Sequence, residues 1–537
     1  MSDNAAYDYI VVGAGSAGAV VASRLSENGL YRVLLLEAGT KGSNHFWARV
    51  PVGTSKMIDD PTVNWCYKSE PDEGSGGRRI DVPRGKMMGG SSSINGMVYM
   101  RGDAQDYDDW RQQGNAGWGW DDVLPLFKKS ERHIDGESAA HGGSGTLGVS
   151  RCAIRHPTSE AFIASGQTLG LPYRADFNTG EHFGVGPLQM TVWKGRRCSA
   201  EQAFLKPIRG RRKNLTIETG ASAQRVVVEK DRATGVRYRH HGAERVASAR
   251  REVIVASGAI GSPHLLMLSG IGPGQHLRDL GIEVARDLPV GLNLQDHLTT
   301  GSNAEVKPGV SMNRSIRGVA RLLPGIRYLV TRGGPAATGG SQACAFLSVM
   351  GDSDRPDTQV NFRPFSLAAN LNGKGMIGPG NAISSAAALL RPRSRGRIEL
   401  KGPDPDQRPA IHPNFLSDYD DLVRLGAGLR WNARLLRADP LGSKLTQQSL
   451  PGDPDWSDER VYEFVRQSAL TIAHPVGTCK MGQDETAVVD EQLRVRGIEG
   501  LRVADASIMP TIPSGNTNAP SIMIGEKAAE MIRAAWR

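Results

Sequence analysis

The first forty residues contain two short apolar runs separated by an amphipathic segment. Residues 7–12 and 31–36 are apolar runs of strand length, whereas residues 16–28 carry apolar side chains at helical spacing. The spaced apolar residues of the middle segment are Val20, Val21 and Leu25. The pattern predicts a strand, a helix and a second buried strand, which together form one β-α-β unit.

The rest of the chain divides into two kinds of pattern. Strand-like runs recur at residues 214–218, 225–229 and 252–256. The stretch 300–448 instead mixes strand-like runs with helical patches and contains no nucleotide-binding signature. Its predicted elements are strands at 303–306, 359–363 and 397–400 and a helix at 418–436. We therefore predict a second domain, inserted between pieces of the first.

Composition supports a two-domain α/β protein that does not bind nucleic acid. The chain has 537 residues, of which 39% are hydrophobic and 23% charged, as is typical of globular α/β proteins. Its net charge of +9 comes from scattered basic residues. The densest basic run, residues 209–213, directly precedes a predicted strand. We interpret this run as a solvated turn rather than a phosphate-binding patch.

The five cysteines and the N-terminal residues bear on compartment and on metal binding. The cysteines are odd in number and never occur as C-x-x-C, which argues against a disulfide framework and against a zinc site. The N-terminus has no basic segment followed by an apolar one, so we expect no cleaved signal, and no apolar run approaches the length that spans a bilayer. We expect a cytoplasmic protein without a metal, and leave peripheral contact with the inner membrane open.

A glycine-rich loop joins the first predicted strand to the predicted helix. It reads Gly13-Ala-Gly15-Ser-Ala-Gly18, and Glu37 follows the second strand. This is the dinucleotide fingerprint: the glycines allow a tight turn, close approach of a pyrophosphate and close helix packing, while the acidic residue binds the adenosine ribose and disfavours NADP. The fingerprint does not separate FAD from NAD. The predicted contact residues of this unit are Gly13, Gly15, Ser16, Ala17, Gly18, Glu37 and Ala38.

Four further blocks resemble signatures of the glucose-methanol-choline (GMC) oxidoreductase family. They cover residues 84–96, which read Arg-Gly-Lys-Met-Met-Gly-Gly-Ser-Ser-Ser-Ile-Asn-Gly, and residues 258–272, 291–297 and 500–527. The chain looks most like the choline dehydrogenase and aliphatic alcohol dehydrogenase branch of that family. The resemblance implies FAD as the cofactor, a bilobed fold and oxidation of a primary or secondary alcohol.

The expected fold class is α/β, with an FAD-binding Rossmann-like domain and an inserted α+β substrate-binding domain. We expect the discontinuous FAD-binding domain to comprise residues 1–155, 214–299 and 455–537. The substrate-binding domain is then expected to comprise residues 156–213 and 300–454.

Position 94 departs from the covalently flavinylated members of the family, in which a histidine bonds to the flavin ring. Ile94 has no nucleophilic nitrogen, so we expect FAD to be held non-covalently. The small residues around Ile94 are expected to bring the backbone close to the isoalloxazine. Further cofactor contacts implied by the resemblance are Trp65, Arg84, Gly89, Gly90, Ser91, Asn95, Gly96, Met97, Val98, Val226, Ala256, Ser257, Asp505, Ala506, Asn516 and Thr517.

One of the twelve histidines lies in a segment, residues 471–482, that resembles the family's active-site segment. Alcohol oxidation requires loss of the hydroxyl proton and departure of a hydride to flavin N5, and a largely neutral histidine is a suitable base at pH 7. The resemblance puts His474 in that role and Asn516 where relatives carry His or Asn. Asparagine cannot act as the base, but it can hold the substrate oxygen. We interpret His297 as structural and His264 as part of a packing helix.

The last helix is predicted to begin near Pro520, because proline suits the first turn of a helix. Its N-terminus at residues 518–520 would stabilise negative charge on a reduced flavin, if directed at the pyrimidine edge.

Together these inferences favour an FAD-dependent alcohol dehydrogenase or oxidase that passes electrons to O2 or to a quinone-type acceptor. An FAD-retaining enzyme that resembles hydroxynitrile lyases, without net redox chemistry, is the alternative. A non-catalytic dinucleotide-binding protein is a third reading, although it would have no need for His474 in its motif. The sequence leaves open which alcohol is oxidised, which acceptor is used and which oligomer forms.

Overall fold

The computed structural model describes residues 6–42, 45–152, 155–369 and 375–536. Residues 1–5, where we expect no targeting signal, lie outside the described residues. The α-helices of the described part are α1 (Ser16–Leu25), α2 (Thr54–Met57), α3 (Ala104–Gln112), α4 (Trp120–Ser130), α5 (Pro157–Thr168), α6 (Gly258–Leu268), α7 (Gly274–Asp279), α8 (Leu322–Thr331), α9 (Tyr419–Arg437), α10 (Asp458–Ser468) and α11 (Asn518–Ala535).

Two large sheets contain most of the strands. Their strands are β1 (Ala6–Val12), β2 (Val33–Glu37), β3 (Gly184–Pro187), β4 (Leu215–Thr219), β5 (Ala221–Glu229), β6 (Arg232–His240), β7 (Ala243–Val255), β8 (Leu298–Glu305), β9 (Ala343–Leu347), β10 (Thr358–Arg363), β11 (Ala382–Leu389), β12 (Leu470–Thr471) and β13 (Leu501–Val503). Shorter strands outside these sheets are Tyr67–Lys68, Asp81–Val82, Val98–Tyr99, Glu131–His133, Leu147–Arg151, Gln189–Met190, Val192–Trp193, Arg196–Arg197, Ile271–Gly272, Arg286–Asp287, Leu367–Ala369, Gly375–Ile377, Arg397–Glu399 and Ala410–His412.

The first sheet confirms the predicted β-α-β unit. Its order is β4-β2-β1-β7-β6-β5, and β13 pairs with β7 beyond this path. The β4, β2, β1, β7 and β13 contacts are parallel, whereas β5 and β6 form an antiparallel meander with β7. Helix α1 ends at Leu25, earlier than predicted, because the Ser26 hydroxyl donates to the Ala22 carbonyl and Gly29 turns the chain at a φ of 73°.

The second sheet is antiparallel and contains the predicted strands at 303–306 and 359–363. Its order is β12-β8-β11-β10-β9-β3. The predicted helix at 418–436 is α9, which begins after Asp418, whose carboxylate accepts from the Asp420 N–H at 2.9 Å. The predicted strand at 397–400 is Arg397–Glu399, which pairs with Ala410–His412 outside both large sheets.

Apolar cores lie around both sheets. The largest surrounds the first sheet, and it includes Ile398 from the stretch predicted as the second domain. A second core lies around β9, β10 and β11. The domain boundaries stay a prediction. None of the helices in the described ranges is both long and apolar enough to cross a membrane.

Candidate active site

A cavity of about 2120 Å³ has wall residues from both large sheets. Most of the predicted site residues line it: Gly13, Gly15, Ser16, Ala17, Glu37, Ala38, Trp65, Arg84, Gly90, Ser91, Asn95, Gly96, Met97, Val98, Ala256, Ser257, His474, Asp505, Ala506, Asn516 and Thr517. Residues from distant parts of the sequence therefore meet around one space. Gly18, Gly89 and Val226 lie outside this lining.

The fingerprint glycines are required by close backbone contacts. Gly13 has a φ of 101°, and a Cβ atom there would lie 2.5 Å from the Ala256 carbonyl oxygen. A Cβ atom on Gly18 would lie 2.0 Å from the Gly13 carbonyl oxygen, so this glycine packs the helix on the loop and does not reach the cavity. Gly15 is the N-cap residue of α1 and lines the cavity. The start of α1 thus offers backbone N–H groups to an anion.

Glu37 is fixed by backbone donors at the end of β2. One carboxylate oxygen accepts from the Ala14 N–H at 3.0 Å and the other from the Gly39 N–H at 2.8 Å. Burial raises the pKa of Glu37, and these two hydrogen bonds oppose that effect. Each oxygen keeps a lone pair for a further donor, such as a ribose hydroxyl.

The loop at residues 85–98 lies directly against the start of α1. A Cβ atom on Gly90 would lie 2.8 Å from the Gly15 Cα atom, and the Gly89 N–H donates to the Ala14 carbonyl at 2.7 Å. Gly89 therefore contributes through the backbone, beneath the cavity surface.

Asn95 is held by a buried arginine that the sequence analysis missed. The Arg197 guanidinium donates to the Asn95 carbonyl at 2.7 Å and to its side-chain oxygen at 2.9 Å. The same Asn95 oxygen accepts from the Met97 N–H at 3.0 Å. Burial lowers the pKa of Arg197 to about 9. No local motif marks Arg197, because it lies about one hundred residues from its partners.

Ile94 lines the cavity and is 4% exposed. Its side chain packs in an apolar cluster with Ala48, Met57, Val63 and Met87. Position 94 therefore holds an apolar packing residue, and its side chain has no atom that could form a covalent bond to a flavin ring.

Asp505 joins two of the sequence blocks. Its carboxylate accepts from the Gly258 N–H and the Ser507 N–H, both at 2.8 Å, and from the Ser262 hydroxyl. Burial raises the pKa of Asp505. Three donors on one carboxylate fix the start of α6 against the segment after β13.

The N-termini of α1 and α11 meet beside the cavity. The Ser16 hydroxyl donates to the Asn518 side-chain oxygen at 2.8 Å. Helix α11 begins at Asn518 with Pro520 in its first turn, as predicted. The partial positive charges of two helix starts therefore face the same space.

His474 and Asn516 lie in direct contact. The Nε2 atom of His474 lies 3.0 Å from the Asn516 amide nitrogen. The Nδ1 atom of His474 lies 3.1 Å from Nδ1 of His297, whose Nε2 lies 3.1 Å from the Leu390 carbonyl oxygen. The pairing of β12 with β8 brings the two histidines together, because His297 directly precedes β8 and His474 follows β12.

These contacts assign the protons on both rings. The Leu390 carbonyl can only accept, so His297 carries its proton on Nε2 and presents an unprotonated Nδ1. His474 must then donate from Nδ1 to His297, which leaves its own Nε2 unprotonated. That Nε2 lone pair faces the amide N–H of Asn516.

The electrostatic surroundings keep this histidine pair neutral. Burial lowers the pKa of His474 well below its usual value, and the positive charge of Arg84 lowers it further. Burial also lowers the pKa of His297 to about 4. His474 is therefore a neutral acceptor over a wide pH range.

The backbone before His474 is held in a strained form. Ala473 has a φ of 63°, which is uncommon for a residue other than glycine. The Asp296 carboxylate accepts from the His474 N–H at 2.8 Å and from the Thr471 hydroxyl. Burial raises the pKa of Asp296 to about 6. Asp296 and His297 thus both position His474, a role that the sequence analysis did not assign to either.

The structure does not bring Val226 to the cavity. Val226 is 1% exposed in β5, and its N–H donates to the Ser269 hydroxyl at 2.8 Å. The cavity is reached instead by the start of the same strand, at residues 221–223. The predicted strand began at residue 225, whereas the observed strand begins at Ala221. The residues that reach the cavity therefore lay outside the predicted strand, and the alternation of its two faces could not be used to find them.

The residues present fit FAD. The α1 start, the Gly90 contact and the Glu37 carboxylate form an extended cradle at one end of the cavity, and the His474–Asn516 pair lies in the same cavity. Within the described ranges, no group of three or more His, Cys, Asp or Glu side chains is arranged to hold a metal ion.

Comparison with known proteins extends over nearly the whole chain. The GMC oxidoreductase family models match residues 7–299 and 392–525. An oxygen-dependent choline dehydrogenase from Rhizobium etli is 40% identical over 528 residues, which cover 98% of this chain and 95% of the relative. The fold is similar to that of a pyridoxine 4-oxidase from Mesorbium loti, with a TM-score of 0.87, 32% identity and coverage of 97% and 98% of the two chains. It is also similar to a formate oxidase from Aspergillus oryzae studied for FAD modification, with a TM-score of 0.91, 27% identity and coverage of 100% and 99%.

Proposed function

The chain belongs to the GMC oxidoreductase family, and we propose that it oxidises a primary or secondary alcohol with His474 as the base and Asn516 as the residue that positions the alcohol oxygen. It is an FAD-dependent oxidoreductase that acts on alcohols. The predicted fold class, an FAD-binding Rossmann-like domain with an inserted substrate-binding domain, is that of this family. The observation that supports the proposal most directly is the unprotonated Nε2 atom of His474, 3.0 Å from the Asn516 amide.

A hydroxyl group that replaces this contact satisfies both side chains. The alcohol oxygen accepts from the Asn516 amide, and the hydroxyl proton is donated to Nε2 of His474. When His474 accepts a proton, its buried ring becomes positively charged, which burial disfavours. His474 therefore accepts a proton only from a hydroxyl group that becomes more acidic as the reaction proceeds. The chemistry that FAD supplies when bound is acceptance of the hydride from the carbinol carbon.

The same cavity wall would hold FAD without a covalent bond. Gly13, Gly15 and Glu37 would bind the adenosine diphosphate half, and the loop at 85–98 would lie against the isoalloxazine. Ile94 supplies only packing contacts there, so we propose a dissociable cofactor.

Anaerobic flavin bleaching tests the proposed reaction. Neutral aryl and aliphatic alcohols should reduce the flavin, and His474→Gln should slow that reduction by about 10²- to 10⁴-fold. His241→Gln, on an exposed turn away from the cavity, is the matched control and should behave as the wild type. Reduction by His474→Gln at the wild-type rate would contradict the assigned base. Cyanide release from a cyanohydrin without bleaching would support the lyase alternative instead.

An exposed apolar surface beside the cavity favours a membrane quinone as electron acceptor. We call this surface the apolar rim; its helical part includes the side chains Val319, Leu322, Leu323, Ile326, Leu329 and Val330, which are 55–81% exposed. Phe46, Val52 and Ile58 extend it, because Val50 packs with Tyr328 of α8. Part of the rim also lines the cavity. Apolar area of this extent on a surface marks an interaction site.

The helical part of the apolar rim lies in a stretch of the chain whose charged residues are all basic. No Asp or Glu occurs between Glu305 and Asp352, whereas five arginines do. Apolar side chains on one helical face, flanked by arginines, are typical of a helix that lies in the interface of an anionic membrane. We therefore propose a cytoplasmic enzyme that contacts the inner membrane peripherally and passes electrons to a quinone-type acceptor.

Vesicle sedimentation and reoxidation rates test this placement. The protein should sediment with vesicles of phosphatidylcholine and phosphatidylglycerol and be released by high salt. The double variant Leu322→Glu/Leu323→Glu should lose this binding, whereas Leu30→Glu, an equally exposed leucine in another region, should keep it. Equal binding by both variants would refute the surface. Reoxidation by O2 as fast as by a soluble ubiquinone analogue would refute the acceptor.

A further inference from the structure

An unpaired arginine lines the cavity on the wall that the second sheet contributes. Arg363 ends β10 and is partly buried there. Among the described residues, no carboxylate and no hydrogen-bond acceptor pairs with its guanidinium group. Burial lowers the pKa of Arg363, and no neighbouring acid opposes that effect. A guanidinium group does not lose its proton in proteins, so the wall carries a fixed positive charge that lacks a counterion.

The neighbouring side chain adds a second donor on the same face. Asn361 lies two residues before Arg363 in the strand, and both line the cavity. The Asn361 side-chain oxygen accepts from the Gln359 amide at 3.3 Å. This contact occupies the Asn361 side-chain oxygen, so its amide N–H groups are the part of this cavity-lining side chain that is left for a ligand. The wall therefore presents a guanidinium group and an amide donor side by side.

The second-sheet wall contains no acid that could bind a cation. Between Thr299 and Ala386, the described lining residues include Arg317, Arg321 and Arg363 but no Asp or Glu. Arg317 and Arg321 are exposed at the mouth, where their charge attracts anions and repels cations.

The carboxylates elsewhere in the lining are mostly engaged. They are Glu37, Asp59, Asp81, Asp406 and Asp505. Glu37 and Asp505 accept backbone N–H groups. Asp81 forms an ion pair with Lys68 at 2.7 Å. Asp406 forms one with Arg239, and Asp59 lies exposed at the rim. Four of the five are therefore already engaged by donors or cations, and the fifth is exposed to solvent.

We propose that the substrate is an alcohol that carries a carboxylate, which Arg363 and Asn361 bind, and that quaternary ammonium alcohols such as choline are poor substrates. This inference deepens the proposed function and depends on it. A carboxylate is planar and matches the parallel donors of a guanidinium group, so it supplies the missing counterion. The 40% identity to choline dehydrogenases thus reflects a shared reaction, while this wall sets a different substrate charge.

Alcohols that differ only in charge test the inference. On an aryl scaffold the set is benzyl alcohol with a para carboxylate, isopropyl or trimethylammonium group. On a linear scaffold it is 6-hydroxyhexanoate, 1-heptanol and a choline homologue of the same length. Anaerobic flavin reduction should give kcat/KM in the order carboxylate, neutral, cation, with about 10- to 100-fold between the first two. Equal rates across a scaffold, or a faster cation, would overturn the proposal.

Variants of Arg363 assign the preference to this side chain. Arg363→Met should abolish the preference for the carboxylate while the rate with the neutral alcohol stays within a few-fold. Arg363→Lys should retain part of the preference, and Arg363→Glu should reverse it in favour of the cation. Arg237→Met, an exposed arginine of β6 outside the cavity, is the control. An undiminished preference in Arg363→Met would refute the assignment.

The neutral alcohols separate the two levels of inference. If no neutral alcohol on either scaffold bleaches the flavin, the proposed function itself fails. If the neutral alcohols react and the carboxylates gain nothing, the alcohol oxidation stands and only the substrate class is wrong.

Discussion

The hydrogen bond between His297 and His474 predicts a change in both rate and pH profile when His297 is replaced. His297→Leu removes the acceptor of the His474 Nδ1–H group, which lies 3.1 Å away in the wild type. His297→Asn keeps an acceptor near the position of Nδ1. The two variants therefore differ in whether the correct tautomer of His474 is favoured.

The expected magnitude follows from the burial of this pair. Both rings are buried, so an unpaired N–H donor there costs about 1–3 kcal/mol. That cost makes the other tautomer competitive, in which Nε2 carries the proton and cannot accept one. Since 1.36 kcal/mol corresponds to a factor of ten, His297→Leu should slow flavin reduction by about 10- to 100-fold. His297→Asn should recover part of that loss.

Stopped-flow flavin reduction across pH provides the assay. Burial lowers the pKa of His474. His297 is neutral above about pH 4 and accepts the His474 Nδ1–H, a hydrogen bond that favours the protonated ring. Loss of this acceptor in His297→Leu should therefore lower the pKa of His474 further and move the acidic limb of the rate profile to lower pH. A merely structural role would lower stability and leave this limb in place. A rate within about two-fold of the wild type and an unmoved limb would refute the reasoning.

Three further predictions concern the cofactor and stability. Gly13→Ala places a Cβ atom 2.5 Å from the Ala256 carbonyl oxygen and should abolish FAD retention, measured by the ratio of flavin to protein absorbance. The control Gly29→Ala also lies in the left-handed region but has open space around it, so this variant should retain FAD. Acid precipitation should release all of the FAD into the supernatant, because Ile94 offers no bonding atom; a yellow pellet would contradict this. Burial lowers the pKa of His182 to about 4, so the unfolded state binds its proton first and stability falls as pH drops from about 6.5 to about 4. His182→Phe should flatten that fall by about 2 kcal/mol between pH 7 and pH 5, seen as a smaller drop in Tm over that range, and an equal drop in both proteins would argue against it.

The elements found from sequence are those encoded by local pattern. The β-α-β unit and α9 were predictable because their apolar spacing and the cap at Asp418 are local signals. Strand β6 was missed, because its alternating apolar positions are interrupted by Gly235. The resemblance to a family supplied His474 and Asn516, which composition and spacing alone do not mark among twelve histidines.

The residues missed by sequence analysis act through contacts between distant segments. His297 meets His474 across 177 residues, and Arg197 meets Asn95 across 102. Neither contact leaves a periodicity or a short motif, because each depends on how strands pair. The sequence indicates only a structural role for His297, and its effect on the tautomer of His474 follows from the contact with the Leu390 carbonyl.

The two members of the proposed reacting pair are positioned by different large sheets. His474 follows β12, which pairs with β8 of the second sheet. Asn516 precedes α11, which packs on α1 beside the first sheet. The 3.0 Å contact between them therefore forms only when both sheets are folded and docked. Because a shift of about 1 Å in such a pair can cost about 100-fold in rate, substitutions that loosen the pairing of β12 with β8 should slow flavin reduction while the ratio of flavin to protein absorbance stays near the wild-type value.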